Sequence, residues 1–223
     1  MKNKTEKKYG VLVVDDHPLF RKGVVQLLND EADLEVCAQA GSAGEALDAI
    51  RRHRLDLAVV DISLEGGANG IELTKAIRAE RPRLPILILS MHDETLYAER
   101  ALRAGARGYV MKREALDQFI TAVRTVLNGE LFISPVMSNR IVYDHIHGGD
   151  YLRSPVDRLS DRELEVLQLI GKGHDVRDIA KGLNLSAKTV EAHRAHIKEK
   201  LNLANAREVT RFATSWLMLQ QSG

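Results

Sequence analysis

Three acidic side chains of this sequence fall where they could act together. Asp15 and Asp16 directly follow the apolar run Val11–Val14, and Asp61 directly follows the apolar run Leu57–Val60. If both runs are parallel strands, their carboxyl ends lie at one edge of the sheet, where ligands of such sheets bind. Carboxylates crowded together would repel one another, and a hard cation that prefers oxygen ligands would relieve that repulsion. The spacing therefore predicts an acidic pocket that holds a divalent cation such as Mg²⁺.

A hydroxyl and an ammonium group extend the predicted pocket. Ser90 follows the apolar run Ile86–Leu89, and Lys112 follows the run Tyr109–Met111. A hydroxyl donor, a lysine and a divalent cation can together hold the three oxygens of a phosphoryl group. Asp61, placed among them, can then act as a nucleophile that forms an acyl phosphate. These residue types predict phosphoryl transfer to an aspartate.

The pocket residues, taken in chain order, resemble the receiver domain of two-component response regulators over about residues 9–128. The positions that carry this resemblance are Asp15, Asp16, Asp61, Ser90, Tyr109 and Lys112. The resemblance implies that a sensor histidine kinase phosphorylates Asp61. It also implies that the chain is a signalling switch rather than an enzyme.

The resemblance implies roles for the other pocket residues. Lys112 would pair with the phosphate, Ser90 would move to bond it, and Tyr109 would then change its rotamer. Such a local change of charge biases an element that has two states. The groups expected to hold Mg²⁺ are Asp15, Asp16, Asp61 and the backbone carbonyl of Ser63.

One loop departs from the family pattern, and two other functions stay open beside the first. The family usually reads D-x-x-M-P-G-x-x-G from the acceptor onward, whereas Glu65 replaces the proline here and Leu64–Asn69 contains one additional residue. We interpret this as altered loop geometry, although it also favours a vestigial receiver that is no longer phosphorylated, which is one alternative function.

The other alternative is an enzyme. Haloacid-dehalogenase enzymes form an aspartyl phosphate too, but they follow the nucleophile with D-x-D, and Ser63 occupies the place of the second acid.

Five strand–helix repeats must position the pocket. Short apolar runs alternate with stretches of helical spacing, which predicts an α/β fold with a doubly wound, flavodoxin-like parallel sheet of five strands. The motif Ser42-x-x-Glu45 is typical of a helix start. The predicted strands are Val11–Val14, Leu34–Ala38, Leu57–Val60, Ile86–Leu89 and Tyr109–Met111.

A linker and a second domain follow. Residues 129–155 carry Pro135, Pro155 and the turn signal Gly148-Gly149-Asp150, and only Met137–Ile146 is compatible with a short helix. Residues 156–219 show no strand signals and predict an all-α domain of four helices, whose short connection Gly182–Leu185 suits a helix-turn-helix. The predicted helix starts are Ser160-x-x-Glu163, Asp175, Ser186 and Asn205-x-x-Glu208.

This second domain resembles the LuxR-type effector domain of the NarL/FixJ response regulators. The resemblance implies a transcription factor that binds promoter DNA. The matching segments are Leu159–Leu167, Gly171–Gly173, Ile179–Ala180, Leu183, Leu185–Ser186, Lys188–His193, Ile197, Lys200–Leu201 and Arg207.

The third predicted helix of this domain has one apolar side and one polar side. Val190, Ile197 and Leu201 form a stripe expected to face the core. Basic groups on the other side would find phosphates, and short polar groups would meet base edges in a major groove. Residues 186–200 hold four Lys or Arg against two Glu, a modest charge that predicts a homodimer when the chain is phosphorylated. The expected DNA contacts are Lys188, Thr189, Glu191, His193, Arg194 and Lys198.

Composition limits the remaining classes. The 223 residues suit two domains, and 32 Lys and Arg nearly balance 31 Asp and Glu, so DNA binding must come from a local surface. Cys37 is the only cysteine, which excludes an intramolecular disulfide and fits a reducing compartment. The sequence shows neither a signal-peptide pattern nor an apolar run of about 18 residues, the length that marks a candidate membrane helix. We expect a cytoplasmic protein with no membrane partner.

Overall fold

The computed structural model describes residues 8–64, 69–146 and 154–221. The chain divides into two compact units, residues 1–142 and residues 143–223, and each is described by itself. The division falls inside the predicted linker of residues 129–155. Most of the unusual Leu64–Asn69 loop and the predicted turn at 148–150 lie outside the described residues.

The first unit is built on a parallel sheet of five strands in the order β2-β1-β3-β4-β5. The strands are β1 Tyr9–Val14, β2 Leu34–Ala40, β3 Leu57–Val60, β4 Ile86–Ser90 and β5 Gly108–Met111. The helices between and after them are α1 Pro18–Asn29, α2 Ala43–Arg52, α3 Gly70–Glu80, α4 Glu94–Ala104 and α5 Ala115–Leu127. The predicted doubly wound sheet is confirmed, and the order turns back between β1 and β3, where ligands of such sheets bind.

Strands β1, β3, β4 and β5 are buried on both faces over nearly their whole length, which is why they read as continuous apolar runs, whereas the edge strand β2 is partly exposed. Val11 and Val13 of β1 pack with Leu28 of α1 and with Phe119 and Val123 of α5 in one core cluster. Each such side chain contributes about 1.5–3 kcal/mol by leaving water. Helix α2 begins as predicted, because the side chain of Ser42 accepts a hydrogen bond from the backbone N–H of Glu45.

A helix in the predicted linker belongs partly to this unit. Helix α6 spans Pro135–Ile146, two residues longer than predicted, because proline fits the first turn of a helix. Met137 is fully buried, and Nη1 of Arg140 donates to the backbone carbonyl of Thr95 at 3.0 Å. The hydroxyl of Ser134 contacts the carboxylate of Glu94. The start of α6 is therefore attached to the start of α4.

The second unit contains four further helices in its described residues, as predicted. They are α7 Asp161–Gly171, α8 Val176–Gly182, α9 Ala187–Lys200 and α10 Ala206–Gln221. All four predicted starts are confirmed, since Ser160, Asp175, Ser186 and Asn205 each accept a backbone hydrogen bond from the first turn. None of the helices in the described ranges of either unit is long and apolar enough to span a membrane.

Two local features shape this helical unit. Asn184, in the turn between α8 and α9, has a φ of 52°, a left-handed conformation that asparagine tolerates better than most residues. A Cβ atom on Gly171 would lie 2.7 Å from the carbonyl oxygen of Ala213, so glycine allows α7 and α10 to approach closely. Val190 and Ile197 of α9 are fully buried between these helices. The predicted apolar stripe is thus confirmed for Val190 and Ile197, whereas Leu201, which directly follows α9, is only half-buried.

Candidate functional site

The carboxyl ends of β1, β3 and β5 bring three charged side chains together. Nζ of Lys112 lies 2.5 Å from Oδ2 of Asp61 and 2.7 Å from Oδ2 of Asp15. All three side chains are at most 4% exposed. The strand-end argument therefore placed these residues correctly, and the lysine neutralises two carboxylates that would otherwise repel each other.

The acidic pair after β1 lines the same edge. Oδ1 of Asp16 lies 2.6 Å from Nδ1 of His17, and Oδ1 of Asp15 accepts a hydrogen bond of 2.7 Å from the backbone N–H of His17. One ligand atom from each of Asp15, Asp16, His17 and Asp61 lies within 4.8 Å of the others. The structure thus contains an acidic cluster in which most donors are the hard oxygens that Mg²⁺ prefers.

Burial controls the acid strength of Asp61. Desolvation raises the pKa of this carboxyl to about 6, although the Lys112 ammonium beside it acts in the opposite direction. The carboxylate form is therefore held in a site that disfavours its charge. A carboxylate destabilised in this way is stabilised when it shares its negative charge with an electrophile or a cation.

Lys112 is positioned by an aromatic ring as well as by the two carboxylates. Its Nζ lies 4.4 Å from the centre of the Phe20 ring on α1. The face of an aromatic ring attracts a cation, and more strongly where water is excluded. Phe20 therefore helps to hold the ammonium over the acceptor.

A chain of hydrogen bonds runs from the end of β4 to β5. The backbone N–H of His92 donates to Oγ of Ser90 at 3.2 Å, and the hydroxyl of Tyr109 donates to the backbone carbonyl of His92 at 2.8 Å. Burial raises the pKa of Tyr109 far above its usual value, so the phenol stays a donor. Ser90 and Tyr109 thus both bond to the backbone of His92, Ser90 at its N–H and Tyr109 at its carbonyl.

The loops after β3 and β4 also contact each other directly. Oγ of Ser63 and Nε2 of His92 are 2.9 Å apart, and the backbone N–H of Ser63 lies 3.4 Å from Oδ1 of Asp61. Gly70 closes the same loop, because a Cβ atom there would lie 2.0 Å from the carbonyl oxygen of Asp61. Ser63 therefore contacts the side chain of Asp61, and Gly70 lies against its backbone.

Sequence reasoning missed three residues around this pocket. His17 directly follows the acidic pair and His92 follows Ser90 by two positions, so their proximity to strand ends was a usable signal. Phe20 gave no such signal, because an aromatic residue on a helix is more often simply part of the core.

The predicted DNA-contacting side chains of α9 differ in their exposure and in their local contacts. Lys188 and Lys198 are exposed. The hydroxyl of Thr189 lies 2.7 Å from that of Ser186, and Nη1 of Arg194 donates to Oε1 of Glu191 at 3.2 Å. The two lysines are thus exposed cations, whereas Thr189, Glu191 and Arg194 have local side-chain contacts.

His193 is one of the partly buried residues among the predicted DNA contacts. Its Nδ1 is buried and has no hydrogen-bond partner among the described residues, and desolvation lowers the pKa of the ring. Only the other edge of the imidazole is left for contact with a ligand on the outside of α9.

Comparison with known proteins decides the family. A family model described as the response regulator receiver domain matches residues 11–124, and a model described as bacterial regulatory proteins of the luxR family matches residues 157–213. The chain belongs to the NarL/FixJ class of response regulators. Members of this class are DNA-binding transcription regulators rather than enzymes, and the receiver and helix-turn-helix predicted from the sequence are both confirmed.

Individual relatives of this response regulator agree over nearly their whole length. The oxygen regulatory protein NreC of Staphylococcus haemolyticus is 39% identical over 207 residues, which cover 91% of this chain and 95% of the relative. RcsB from Salmonella enterica serovar Typhimurium, bound to promoter DNA, is 26% identical with a TM-score of 0.62 and covers 94% of this chain and all of the other. A LuxR-family response regulator from Aurantimonas sp. SI85-9A1 is 34% identical, with a TM-score of 0.58, over 63% of this chain and 99% of that one.

Proposed function

We propose that this response regulator accepts a phosphoryl group on Asp61 from a sensor histidine kinase and then binds promoter DNA through α9 as a homodimer. The observation that carries the proposal is the buried contact of Asp61 with Lys112, 2.5 Å apart at the carboxyl edge of the sheet. A buried carboxylate with a raised pKa and an adjacent ammonium suits a nucleophile whose product is an anion.

The transfer follows from the positions of these groups. A carboxylate oxygen of Asp61 attacks the phosphorus of a phosphorylated imidazole, the new O–P bond forms, and the P–N bond breaks. The imidazole leaves with the electron pair of that bond. Lys112, already between Asp15 and Asp61, pairs with a phosphoryl oxygen as the negative charge moves outward. Ser90 donates its hydroxyl to a second oxygen.

Mg²⁺ fits the donor set of this pocket. Asp15, Asp16 and Asp61 supply oxygen ligands, and the backbone carbonyl of Ser63 would supply another. When bound, Mg²⁺ would neutralise charge that collects on the phosphoryl oxygens. His17 is 65% exposed and contacts Asp16, so it orients that carboxylate toward the pocket.

Phosphorylation would change the two hydrogen bonds that Ser90 and Tyr109 make with the backbone of His92. When Ser90 turns to the phosphoryl group it leaves the backbone N–H of His92, to which it is bonded at 3.2 Å. Tyr109 holds the carbonyl of the same residue at 2.8 Å, so the two bonds are coupled. The neighbouring start of α4 would then shift, and the face of the receiver around α4 and β5 would change.

DNA binding is supported by the polar side of α9 and by the relatives. RcsB, 26% identical to this chain, is known bound to promoter DNA in the presence of the phosphomimetic BeF₃⁻, and two RcsB dimers are known bound to DNA. In this chain Lys188 and Lys198 would contact phosphates, whereas Thr189, Glu191, His193 and Arg194 would meet base edges. The net charge of this helix is small, so pairing of two chains would supply the second half of the footprint. We propose that all of this takes place in the cytoplasm.

An aspartyl-phosphate assay tests the proposal and separates it from a vestigial receiver. The full-length protein is incubated with Mg²⁺ and a small acyl phosphate, and intact mass spectrometry counts the phosphoryl groups. We expect one hydroxylamine-labile group on the wild type and none on Asp61→Asn, with Asp56→Asn as the matched control that retains it. The altered loop would mark a vestigial receiver if the wild type stays unmodified both in this assay and with a panel of histidine kinases.

A further inference from the structure

Three metal-ligating side chains meet between two helices of the second unit. His193 and His196 lie one turn apart on α9, and Glu163 lies in the first turn of α7. One ligand atom from each of the three lies within 4.8 Å of the others. Side chains three positions apart share one face of a helix, so both imidazoles are directed at the same carboxylate.

The two oxygens of Glu163 have different partners. Oε2 accepts hydrogen bonds from the backbone N–H of Ser160 and from Nζ of Lys200, each at 2.7 Å. Oε1 faces Nδ1 of His196 at 3.6 Å, which is too long for a hydrogen bond. One oxygen is therefore committed to the helix start and the ion pair, and the other is directed at the histidines.

His193 supplies the second, independent observation. Its Nδ1 is enclosed by protein and has no hydrogen-bond partner in the described part of the chain. Buried polar atoms without a partner are rare in folded proteins and call for an explanation, such as an ion that binds there.

We propose that Glu163, His193 and His196 form a site for a divalent transition-metal ion of the zinc class. Imidazole nitrogens suit Zn²⁺, Cu²⁺ and Ni²⁺, whereas Mg²⁺ prefers oxygen ligands. Bonds of about 2.0–2.1 Å to tetrahedral Zn²⁺ place its ligand atoms roughly 3.3 Å apart, close to the 3.6 Å between His196 and Glu163. Three protein ligands would leave one coordination position for water.

A metal ion in this position would link α9 to α7. Because α9 carries the proposed DNA contacts, the ion would fix the helix against the unit that supports it and hold the His193 ring in one orientation. This link would act on DNA binding without passing through Asp61. The site is therefore a proposed input separate from phosphorylation.

The test uses the only tryptophan of the chain. Trp216 lies on α10, which packs against α7 in the second unit, so its fluorescence reports on this unit. Full-length protein in excess Mg²⁺ is titrated with Co²⁺, whose unpaired electrons quench fluorescence, and Zn²⁺ is then added to compete. We expect saturable quenching that Zn²⁺ reverses.

Variants distinguish the proposed ligands from other histidines. His196→Ala should require at least tenfold more Co²⁺, and His193→Gln should do the same if the alanine variant loses its helical circular dichroism. His174→Ala, an exposed histidine of the same unit, should titrate like the wild type. Quenching that does not saturate, or saturable quenching that both ligand variants retain, would overturn the proposal.

Discussion

Nζ of Lys112 lies 2.5 Å from Oδ2 of Asp61, and both side chains are only 3% exposed. The same ammonium lies 2.7 Å from Asp15. One cation therefore neutralises two buried carboxylates, and the pocket before phosphorylation depends on this contact. Changes to Lys112 and to Asp61 are expected to alter stability in opposite directions.

Replacing Lys112 by methionine should destabilise the receiver. The substitution keeps most of the side-chain volume but leaves two buried carboxylates without their cation, a loss of about 3–5 kcal/mol. Urea unfolding with EDTA measures it, and Mg²⁺ should restore part of the loss if the carboxylates bind the ion. Lys75→Met, at an exposed lysine, is the control. Equal stability of Lys112→Met and the wild type in EDTA would contradict the buried-charge argument.

Replacing Asp61 by asparagine should stabilise the receiver in a pH-dependent manner. The pKa of Asp61 in the folded protein is about 6, above its ordinary value of 3.8, so the folded state holds this proton more tightly. The carboxyl therefore opposes folding increasingly as the pH rises from about 4 to about 6, and fully above that. Asp61→Asn removes this opposition.

We expect Asp61→Asn to be more stable than the wild type by about 1–3 kcal/mol at pH 8 without Mg²⁺. The difference should shrink toward pH 4, because the unfolded state, in which this carboxyl has its ordinary pKa of 3.8, then begins to take up the proton that the folded state already holds. Urea unfolding at several pH values measures it. A difference of the same size at pH 4 and pH 8 would show that the gain has another origin.

Replacing Tyr109 by phenylalanine should weaken the response without preventing phosphorylation. The variant loses the hydrogen bond to the carbonyl of His92 and the contact of the hydroxyl with Ser90, at about 1 kcal/mol for each hydrogen bond. Phosphoryl incorporation should stay near the wild-type level, whereas the gain in DNA affinity on phosphorylation should fall. Tyr9→Phe, at a partly exposed tyrosine, is the control. If both quantities fall together, Tyr109 acts on the pocket itself.

Two groups of residues on α9 should respond differently to substitution. Lys188→Ala and Lys198→Ala should weaken binding to specific and scrambled DNA alike, and each should lower the salt dependence by roughly one unit. Arg194→Ala should cost about 1–3 kcal/mol on the specific site alone. Binding across a salt series on both DNAs separates the groups. An equal loss on both DNAs would make Arg194 a phosphate contact.

Strand ends were the most predictable part of the pocket. Parallel strands share one direction, so an apolar run followed by Asp15, Asp61 or Lys112 fixes the edge on which each residue lies. The pairing within the pocket did not follow from the sequence, because the contact of Lys112 with both carboxylates depends on rotamers. The role of His92 depends in turn on the loop conformation after β4.

The helices of the second unit also have features that the sequence predicts and features that it does not. Their starts were predictable because one side chain and the backbone of the next turn decide each cap, as at Ser160 and Ser186. The inward orientation of His193 was harder to predict. It stands three residues after Val190, at the border of the apolar stripe, where periodicity assigns neither face. Glu163, whose carboxylate lies near its ring in the proposed metal site, comes from another helix.

The attachment of α6 to α4 affects where the receiver can be joined to the DNA-binding domain of another regulator. Met137 is fully buried, and Arg140 is bonded to Thr95 within the unit of residues 1–142. A chimaera joined at residue 128 would give the receiver a foreign segment in place of these contacts. A chimaera joined just after residue 142 would keep them. Recombination between paralogues should therefore be tolerated better at the later junction, and shuffled libraries should recover it more often.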